Sequence, residues 1–225
     1  IQWTLNNTSG AYWNPVTRRL WVANNSGVFT VLKENGTGGF TNERNYTVSG
    51  GSSETDLEGI TQASDTNLVY LMHERINVIR EYTVSSGATN RSWDLTSIVG
   101  NVTNDGTEGI AFIPDSWLAM ARFCDSNGVA YTQSVYGVDG LGGIMLVGVQ
   151  HFARSTTGYI FAVDLHTNGN WTLVGQYATA PRGDSCDLSF DTSIGRLYIL
   201  HSSAANPPQV NILEVTDLTS YTNGT

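Results

Sequence analysis

The chain has very little positive charge. It contains one lysine, Lys33, and its 11 Lys and Arg residues face 20 Asp and Glu residues, for a formal net charge of −9. Binding to a phosphate backbone needs clustered Lys and Arg, so we expect no nucleic-acid partner. Long apolar runs are also absent. None approaches the roughly 18 residues of a membrane-spanning helix, so we expect no membrane span.

Cysteine is scarce as well, with only Cys124 and Cys186. The chain has no Cys-x-x-Cys motif and no Cys/His spacing typical of a zinc site. In an oxidising compartment the two residues would close a loop of about 60 residues, and such a disulfide stabilises a fold by roughly 3–4 kcal/mol. We expect this disulfide, with two buried free thiols as the alternative.

Asparagine often lies in Asn-x-Ser/Thr sequons, the acceptor sequence for N-glycosylation. Nine sequons begin at Asn6, Asn7, Asn24, Asn35, Asn45, Asn90, Asn101, Asn170 and Asn223. This excess favours a secreted protein, extracellular or at the cell surface, with glycans on some of the sites. Accidental sequons in Asn- and Thr-rich β loops are the alternative. The first residue is Ile1 rather than Met, which indicates a processed chain or a fragment.

A repeated phrase predicts the fold. Short alternating runs bounded by Gly, Asn, Asp and Ser are typical of β-strands, and Leu57–Ile60 recurs as Thr107–Ile110, 50 residues later. A period near 50 is typical of propeller blades. Related phrases place the repeats at Gly10, Gly59, Gly109 and Leu188, with spacings of 49, 50 and 79. We therefore predict one all-β domain over residues 1–225, a small β-propeller with four blades.

The last spacing is one blade plus a surplus of about 29 residues. An insertion around residues 117–143, as a long loop or an extra hairpin, would hold this surplus. A fifth, degenerate blade between residues 113 and 160 is the alternative. Only three strands of the last blade precede the chain end, so we expect the run 2–5 to supply the fourth strand and close the ring. Residues 219–225 form a short polar tail.

The second residue of each phrase is polar. These residues are Ser9, Glu58, Glu108 and Asp187. Inner strands of a propeller converge on one axis, where crowded carboxylates raise one another's pKa. A bound cation would relieve this, and oxygen ligands suit calcium or magnesium. We predict Glu58, Glu108 and Asp187 as ligands of a cation, with calcium as the expected ion.

The ends of the second strands bring further polar residues to the same face. Asn24 and His73 lie 14 residues after Gly10 and Gly59, and His201 lies 13 residues after Leu188. The predicted site-lining residues are Ser9, Asn24, His73, Gln150, His151 and His201. Three interpretations stay open: a cation site, a polar network that ties blades or lines a water-filled channel, and a catalytic site.

The run Thr107–Pro114 resembles the repeated phrase of the SdiA-regulated β-propeller family and of the related secreted phytase-like and esterase-like propellers. Leu57–Thr61 matches this phrase less fully, and 158–165 and 189–199 are similar to later blade strands of the same family. The resemblance implies an extracellular or cell-surface propeller that sometimes carries calcium, with Glu58 and Glu108 at the matching axial positions.

These observations predict a secreted, non-catalytic module that acts as an extracellular structural, adhesive or assembly subunit. Its expected partners are copies of itself, other extracellular proteins or glycans. A metal-dependent hydrolase of phosphoesters or lactones is the first alternative, with His73, His201 and Glu108 as its catalytic residues. A carbohydrate-binding lectin with one shallow site per blade is the second.

Overall fold

A computed structural model describes residues 7–100, 106–133, 139–150, 158–179, 182, 184–202 and 211–218. They form four antiparallel sheets, in which neighbouring strands follow one another along the chain. The sheets are arranged around one axis as a four-bladed β-propeller, so the predicted all-β fold and the preferred blade number are confirmed.

The first two blades are four-stranded meanders. Blade one contains β1 (Thr8–Asn14), β2 (Arg19–Asn24), β3 (Val28–Glu34) and β4 (Phe40–Thr47). Blade two contains β5 (Leu57–Thr61), β6 (Leu68–His73), β7 (Val78–Thr83) and β8 (Thr89–Asp94). A 3-10 helix, Glu74–Ile76, follows β6, and helix α1, Thr96–Val99, follows β8.

Blade three is also four-stranded, and three strands of blade four are described. Blade three contains β9 (Thr107–Pro114), β10 (Gly143–Val149), β11 (Tyr159–Leu165) and β12 (Trp171–Ala178). Blade four contains β13 (Ser185–Asp191), β14 (Arg196–His201) and β15 (Ile212–Thr216). Because β9 pairs directly with β10, a separate fifth blade does not form between them. The run 2–5 and the tail 219–225 lie outside the described residues.

The described part of the surplus between β9 and β10 contains helix α2, Asp115–Ala121, and an isolated antiparallel bridge between Cys124 and Ala130. Leu118 of this helix is buried in the core, and Trp117 meets Phe190 of blade four edge-on, with ring centroids 5.9 Å apart. The insertion therefore braces blade three against blade four. Neither α2 nor any other helix in the described part of the chain is long and apolar enough to cross a membrane.

Alternating side chains of neighbouring blades fill the interfaces between them. Trp21, Phe29 and Tyr46 of blade one pack with Leu57 and Tyr82 of blade two in one buried cluster. Comparable clusters join blades two and three, and blades three and four. Full burial of a large apolar side chain is worth about 1.5–3 kcal/mol, so these interfaces supply much of the stability of the ring.

Each inner strand carries a β-bulge at the repeated phrase. The pairing register shifts between Thr8 and Gly10, Leu57 and Ile60, Thr107 and Ile110, and Ser185 and Asp187. A bulge bends its strand and changes the direction of the side chains beside it. The repeated phrase is thus the sequence of a bulge at the start of every inner strand.

The glycines of the phrase allow adjacent inner strands to approach closely. A β-carbon at Gly10 would lie 2.4 Å from the carbonyl oxygen of Glu58, and one at Gly59 would lie 2.7 Å from that of Glu108. A β-carbon at Gly109 would lie 2.5 Å from the Cα atom of Asp187. Each glycine therefore contacts the phrase of the following blade, with no room for a side chain.

The predicted disulfide is not formed, because Cys124 and Cys186 are both free. Their sulfur atoms are held in separate places. The Cys124 thiol donates to the carbonyl of Arg122 in the insertion at 3.4 Å, whereas the Cys186 thiol donates across blade four to the carbonyl of Leu200 at 3.3 Å. The alternative of two free, partly buried thiols is the one that the structure shows.

Candidate functional site

One backbone hydrogen bond recurs in all four blades and defines the face that carries the site. The residue after each second strand donates its N–H to the residue two before the bulge. The four bonds run from Asn25 to Asn7, Glu74 to Asp56, Gln150 to Gly106 and Ser202 to Asp184, at 3.0–3.2 Å. Each blade therefore presents three equivalent positions at this end of the channel: before the bulge, at the bulge, and after the second strand.

The bulge aligns blade four differently from the sequence prediction. Ser185 pairs with His201 just as Leu57 pairs with His73, so Cys186 lies at the position of Glu58 and Asp187 at that of Gly59. The predicted alignment of Asp187 with the glutamates is off by one residue. With this alignment, His201 lies 14 residues after Asp187, the same interval as in blades one and two. The interval of 13 counted from Leu188 was the signal in the sequence that the alignment was one residue off.

Blade two has a carboxylate at all three equivalent positions. Oxygen atoms of Asp56, Glu58 and Glu74 all lie within 4.8 Å of one another. All three residues are buried, with 6–8% of their surface exposed. The 3-10 helix that begins at Glu74 and the bulge at Glu58 turn these side chains together. We call these three residues the acidic triad. The sequence prediction included Glu58 but missed Asp56 and Glu74.

The corresponding positions of the other blades are mostly uncharged. In blade one, the Ser9 hydroxyl donates to Asn25 Oδ1 at 2.7 Å. Blade three offers Glu108 with Gly106 and Gln150, and blade four offers Asp184 with Cys186 and Ser202. Carboxylates thus concentrate in blade two, which has three at these positions, whereas blades three and four have one each and blade one has none.

Burial and mutual repulsion raise the pKa values at this mouth. Burial, followed by the charges of Glu74 and Glu58, raises the pKa of Glu108 to about 10. Burial raises the pKa of Glu58 to about 7, with Glu74 adding to the shift and a hydrogen bond between Glu58 and Ser9 opposing it. Asp56 has a counter-charge, since Arg75 Nε donates to it at 2.5 Å. The site therefore favours protons or a cation over a set of bare carboxylates.

Asp187 lies at the junction of blades four and one. Its carboxylate accepts hydrogen bonds from the N–H of Leu188, at 2.8 Å, and from the N–H of Ala11 on β1. Burial nevertheless raises its pKa to about 7. Because Asp187 stands where the other blades have glycine, its side chain joins the inner strands of blades four and one. Its predicted role as a cation ligand stays a prediction.

The histidines lie at equivalent backbone positions, but their side chains are not part of the acidic triad. His73 is fully buried, with Nδ1 donating to the Glu54 carbonyl at 2.6 Å and Nε2 3.1 Å from the Tyr82 hydroxyl. Burial lowers its pKa to about 4, so the ring is neutral at pH 7. His201 is also fully buried, and its Nε2 lies 3.3 Å from Glu214 of β15. The described bonds of both imidazoles go to residues outside the acidic triad.

Of the other predicted lining residues, Gln150 lies at the channel mouth and Asn24 caps a turn. Asn24 caps the β2–β3 turn, where its Oδ1 accepts from the N–H groups of Ser26 and Val28. Gln150 lies at the mouth through the recurring backbone bond, whereas the position equivalent to His73 is Val149. His151 lies outside the described residues. The structure therefore brings together Ser9, Glu58, Glu108 and Gln150 of the predicted set.

Comparison with known proteins supports the fold alone. No protein-family model matches the chain, and a search of curated proteins finds no relative. Among solved structures, hydrazine synthase from Kuenenia stuttgartiensis is similar over 93% of this chain at 14% identity and a TM-score of 0.52. A nidogen–laminin complex and the C-terminal WD40 domain of Sif2 match 87% and 93% of this chain at 11% and 12% identity, with TM-scores of 0.49 and 0.44. The chain spans about half the length of these structures, at 50%, 57% and 45%.

Proposed function

We propose that this chain is a secreted, non-catalytic β-propeller module that holds a divalent cation, preferably calcium, at the acidic triad. The module acts as an extracellular structural, adhesive or assembly subunit. The acidic triad is the observation that carries this proposal. Three buried carboxylates converge from three separate backbone positions, and no imidazole or thiol stands among them.

The donor set favours calcium. Carboxylate oxygens are hard ligands, and calcium accepts six to eight oxygens in flexible geometry, whereas magnesium demands a strict octahedron. Asp56, Glu58 and Glu74 would hold the ion, and the neighbouring Glu108 adds negative charge beside them. A bound cation would lower the raised pKa values of Glu58 and Glu108, and calcium uptake would therefore release protons.

The positions of the histidines favour a binding module over the hydrolase alternative. A general acid or base must lie within hydrogen-bond reach of the reacting group. Both ring nitrogens of His73 are bonded to Glu54 and Tyr82, and His201 faces Glu214. His73 therefore has no ring nitrogen left to serve a cation held by the acidic triad.

Two further features support an extracellular setting. Several sequon asparagines are exposed on turns and outer strands, among them Asn35, Asn45 and Asn170. The phrase Thr107–Pro114 resembles that of the SdiA-regulated propellers, which favours the same setting. Assignment to that family remains part of this proposal.

The decisive experiment is calcium titration by isothermal calorimetry, together with elemental analysis of dialysed protein. We expect about one equivalent of calcium, bound with proton release, and an increase in melting temperature on calcium addition. Asp56→Asn and Glu74→Gln should weaken binding at least tenfold. The matched control Glu43→Gln alters an exposed carboxylate of β4 and should bind like the wild type. Absence of calcium binding, or equal binding by all variants, would refute the cation site.

The assembly role needs its own measurement. Sedimentation velocity of glycosylated protein, with and without calcium, should show concentration-dependent association. A protein that stays monomeric at millimolar concentration in both conditions would contradict the assembly role. The calorimetry tests the cation site separately from the assembly role.

A further inference from the structure

The channel has a second mouth at the opposite end of the inner strands. All four inner strands start at the acidic triad's end, so their last residues meet at the other end. A cavity of about 300 Å³ lies there, next to Asn14, Gln62, Pro114 and Thr192. This volume is at the lower limit of typical small-molecule sites.

The walls of this cavity are aromatic and uncharged. Tyr12, Phe112, Trp117 and Phe190 line it, and none of its described lining residues is Asp, Glu, Lys, Arg or His. Because the whole chain carries a net charge of −9, an uncharged mouth opposite the acidic one is a distinct feature. The Trp117 indole N–H donates to the Thr192 carbonyl at 3.2 Å, which holds this ring in place.

A fixed amide pair borders the cavity. Asn14 Nδ2 donates to Gln62 Oε1 at 2.9 Å, and both residues are at least 95% buried. Asn14 Oδ1 accepts from the N–H groups of Val16 and Thr17, and Gln62 Nε2 donates to the carbonyls of Thr66 and Leu68. These bonds make the wall rigid before any ligand arrives, which lowers the entropic cost of binding.

A second cavity of about 280 Å³ continues from the first across the boundary between blades four and one. The two share Tyr12, Pro15, Phe190 and Thr192 as lining residues. The second adds Tyr198 and Trp13, and 38% of Trp13 is exposed. Its one charged lining residue, Asp191, already accepts from the N–H and hydroxyl of Ser193 at 2.8 and 2.6 Å.

We propose that the two cavities form one aromatic groove that binds a short, uncharged oligosaccharide. Aromatic rings offer the apolar faces on which the C–H face of a sugar ring packs. Exposed hydroxyls such as those of Ser64, Ser116 and Thr192 offer partners for sugar hydroxyls. A ligand rich in hydroxyls and free of charge fits this lining. A purely apolar protein side chain would bury those hydroxyls without partners.

This inference is independent of the cation site, since the groove lies at the opposite end of the channel. It also differs from a lectin with one site per blade. The groove is a single site, built at the channel axis and at one blade boundary. Trp117, which completes the groove, lies on α2 in the insertion of blade three and has no counterpart in the other described blades.

The test is tryptophan-fluorescence titration and calorimetry with cellotriose, maltotriose, triacetylchitotriose, laminaritriose and mannotriose. Protein from a host without N-glycosylation avoids occupancy by its own glycans. We expect saturable binding of at least one of these sugars. Trp13→Ala and Thr192→Arg should each weaken it at least tenfold, the first by removing a ring face and the second by obstructing the groove.

Two controls separate the groove from general effects. Trp171→Ala removes a tryptophan of blade three, and Ser53→Arg adds a charge to an exposed loop; both should bind like the wild type. A panel with no binding at millimolar concentration, or binding unchanged in Trp13→Ala and Thr192→Arg, overturns the proposal. Saturable binding of an uncharged aromatic peptide in place of every sugar would assign the groove to a protein partner instead, and also overturns it.

Discussion

Ser9 donates its hydroxyl proton to Asn25 Oδ1 at 2.7 Å, and these two residues occupy in blade one the positions that Glu58 and Glu74 occupy in blade two. The same backbone therefore carries a neutral, hydrogen-bonded pair in one blade and two carboxylates in the next. The first arrangement stabilises a blade without any ligand. The pair of carboxylates needs protons or a cation, and the predictions about pH and calcium below follow from this difference.

The glycine of the phrase should be intolerant of a side chain. We expect Gly59→Ala to lower the free energy of unfolding by about 1–3 kcal/mol, because a β-carbon would lie 2.7 Å from backbone atoms of blade three. Urea denaturation measures this change. Gly51→Ala is the matched control, since a β-carbon there meets no atom within 4 Å. Equal stability of the two variants would contradict the close packing of inner strands.

Without a cation, the protein should lose stability as the pH rises. The folded pKa values of Glu58 and Glu108, about 7 and about 10, lie above the usual value of 4.5. Groups with raised pKa values contribute stability that is complete below pH 4.5 and is lost as the pH passes through the folded values. In EDTA, the melting temperature should therefore fall between pH 5 and pH 10.

Glu108→Gln tests this pH dependence. The amide cannot ionise, so the variant should show a flatter profile and a higher melting temperature than the wild type at pH 8 in EDTA. Calcium should flatten the wild-type profile as well, because the ion stabilises the ionised carboxylates. A wild-type melting temperature that rises from pH 5 to pH 8 in EDTA would show that these carboxyls are not buried as described.

The stability of the protein should depend strongly on the arginine of an ion pair in blade two. Glu81 is fully buried and accepts from Arg91 Nε and Nη2 at 2.9 and 2.8 Å and from the Tyr70 hydroxyl at 2.7 Å. Arg91→Ala would leave this carboxylate without its counter-charge and should cost about 3–5 kcal/mol of unfolding free energy. Arg18→Ala removes an arginine from an exposed pair with Glu34 and should cost less than about 1 kcal/mol.

The sequons should not be glycosylated equally. Asn90 is exposed, but its Nδ2 donates to the buried carboxylate of Glu81, so attachment of a glycan would compete with that bond. Three other sequon asparagines are exposed, namely Asn35, Asn45 and Asn170. In the described side-chain bonds of Asn35 and Asn45, the amide oxygen accepts and the amide nitrogen does not donate. Glycopeptide mass spectrometry of protein from a eukaryotic host should find glycans at these three sites and little at Asn90. High occupancy at Asn90 would contradict the described bond.

The thiols offer a simple check of the cysteine arrangement. Protein unfolded without reductant should react with two equivalents of Ellman's reagent, and a reductant should leave the melting temperature unchanged. No reactive thiol before reduction and two after it would restore the Cys124–Cys186 disulfide that the sequence led us to expect.

Sequence alone was sufficient for the architecture because the repeated phrase marks the start of each inner strand. The acid and the glycine of the phrase occupy different structural positions. The acid lies at a bulge, and the glycine lies where adjacent inner strands touch. The site was harder to predict. Side chains alternate along a strand, so a shift of one residue exchanges the two faces. Only the bulge decides that Cys186, and not Asp187, corresponds to Glu58.

The two missed ligand candidates illustrate the same limit. Asp56 lies two residues before Glu58, and Glu74 directly follows His73, so both were adjacent to residues that the sequence singled out. Their convergence depends on a turn of 3-10 helix and on a backbone bond between distant segments. Neither feature leaves a periodic pattern. His73 and His201 do share an equivalent position, but their described bonds go to residues outside the acidic triad, so an equivalent position did not by itself identify the triad.

The two mouths of the channel make the ring chemically two-faced. Buried carboxylates lie at one end, and the uncharged aromatic groove lies at the other. A surface that supplies calcium would therefore engage one end and leave the other free, so that a single small ring could connect two partners of different chemistry.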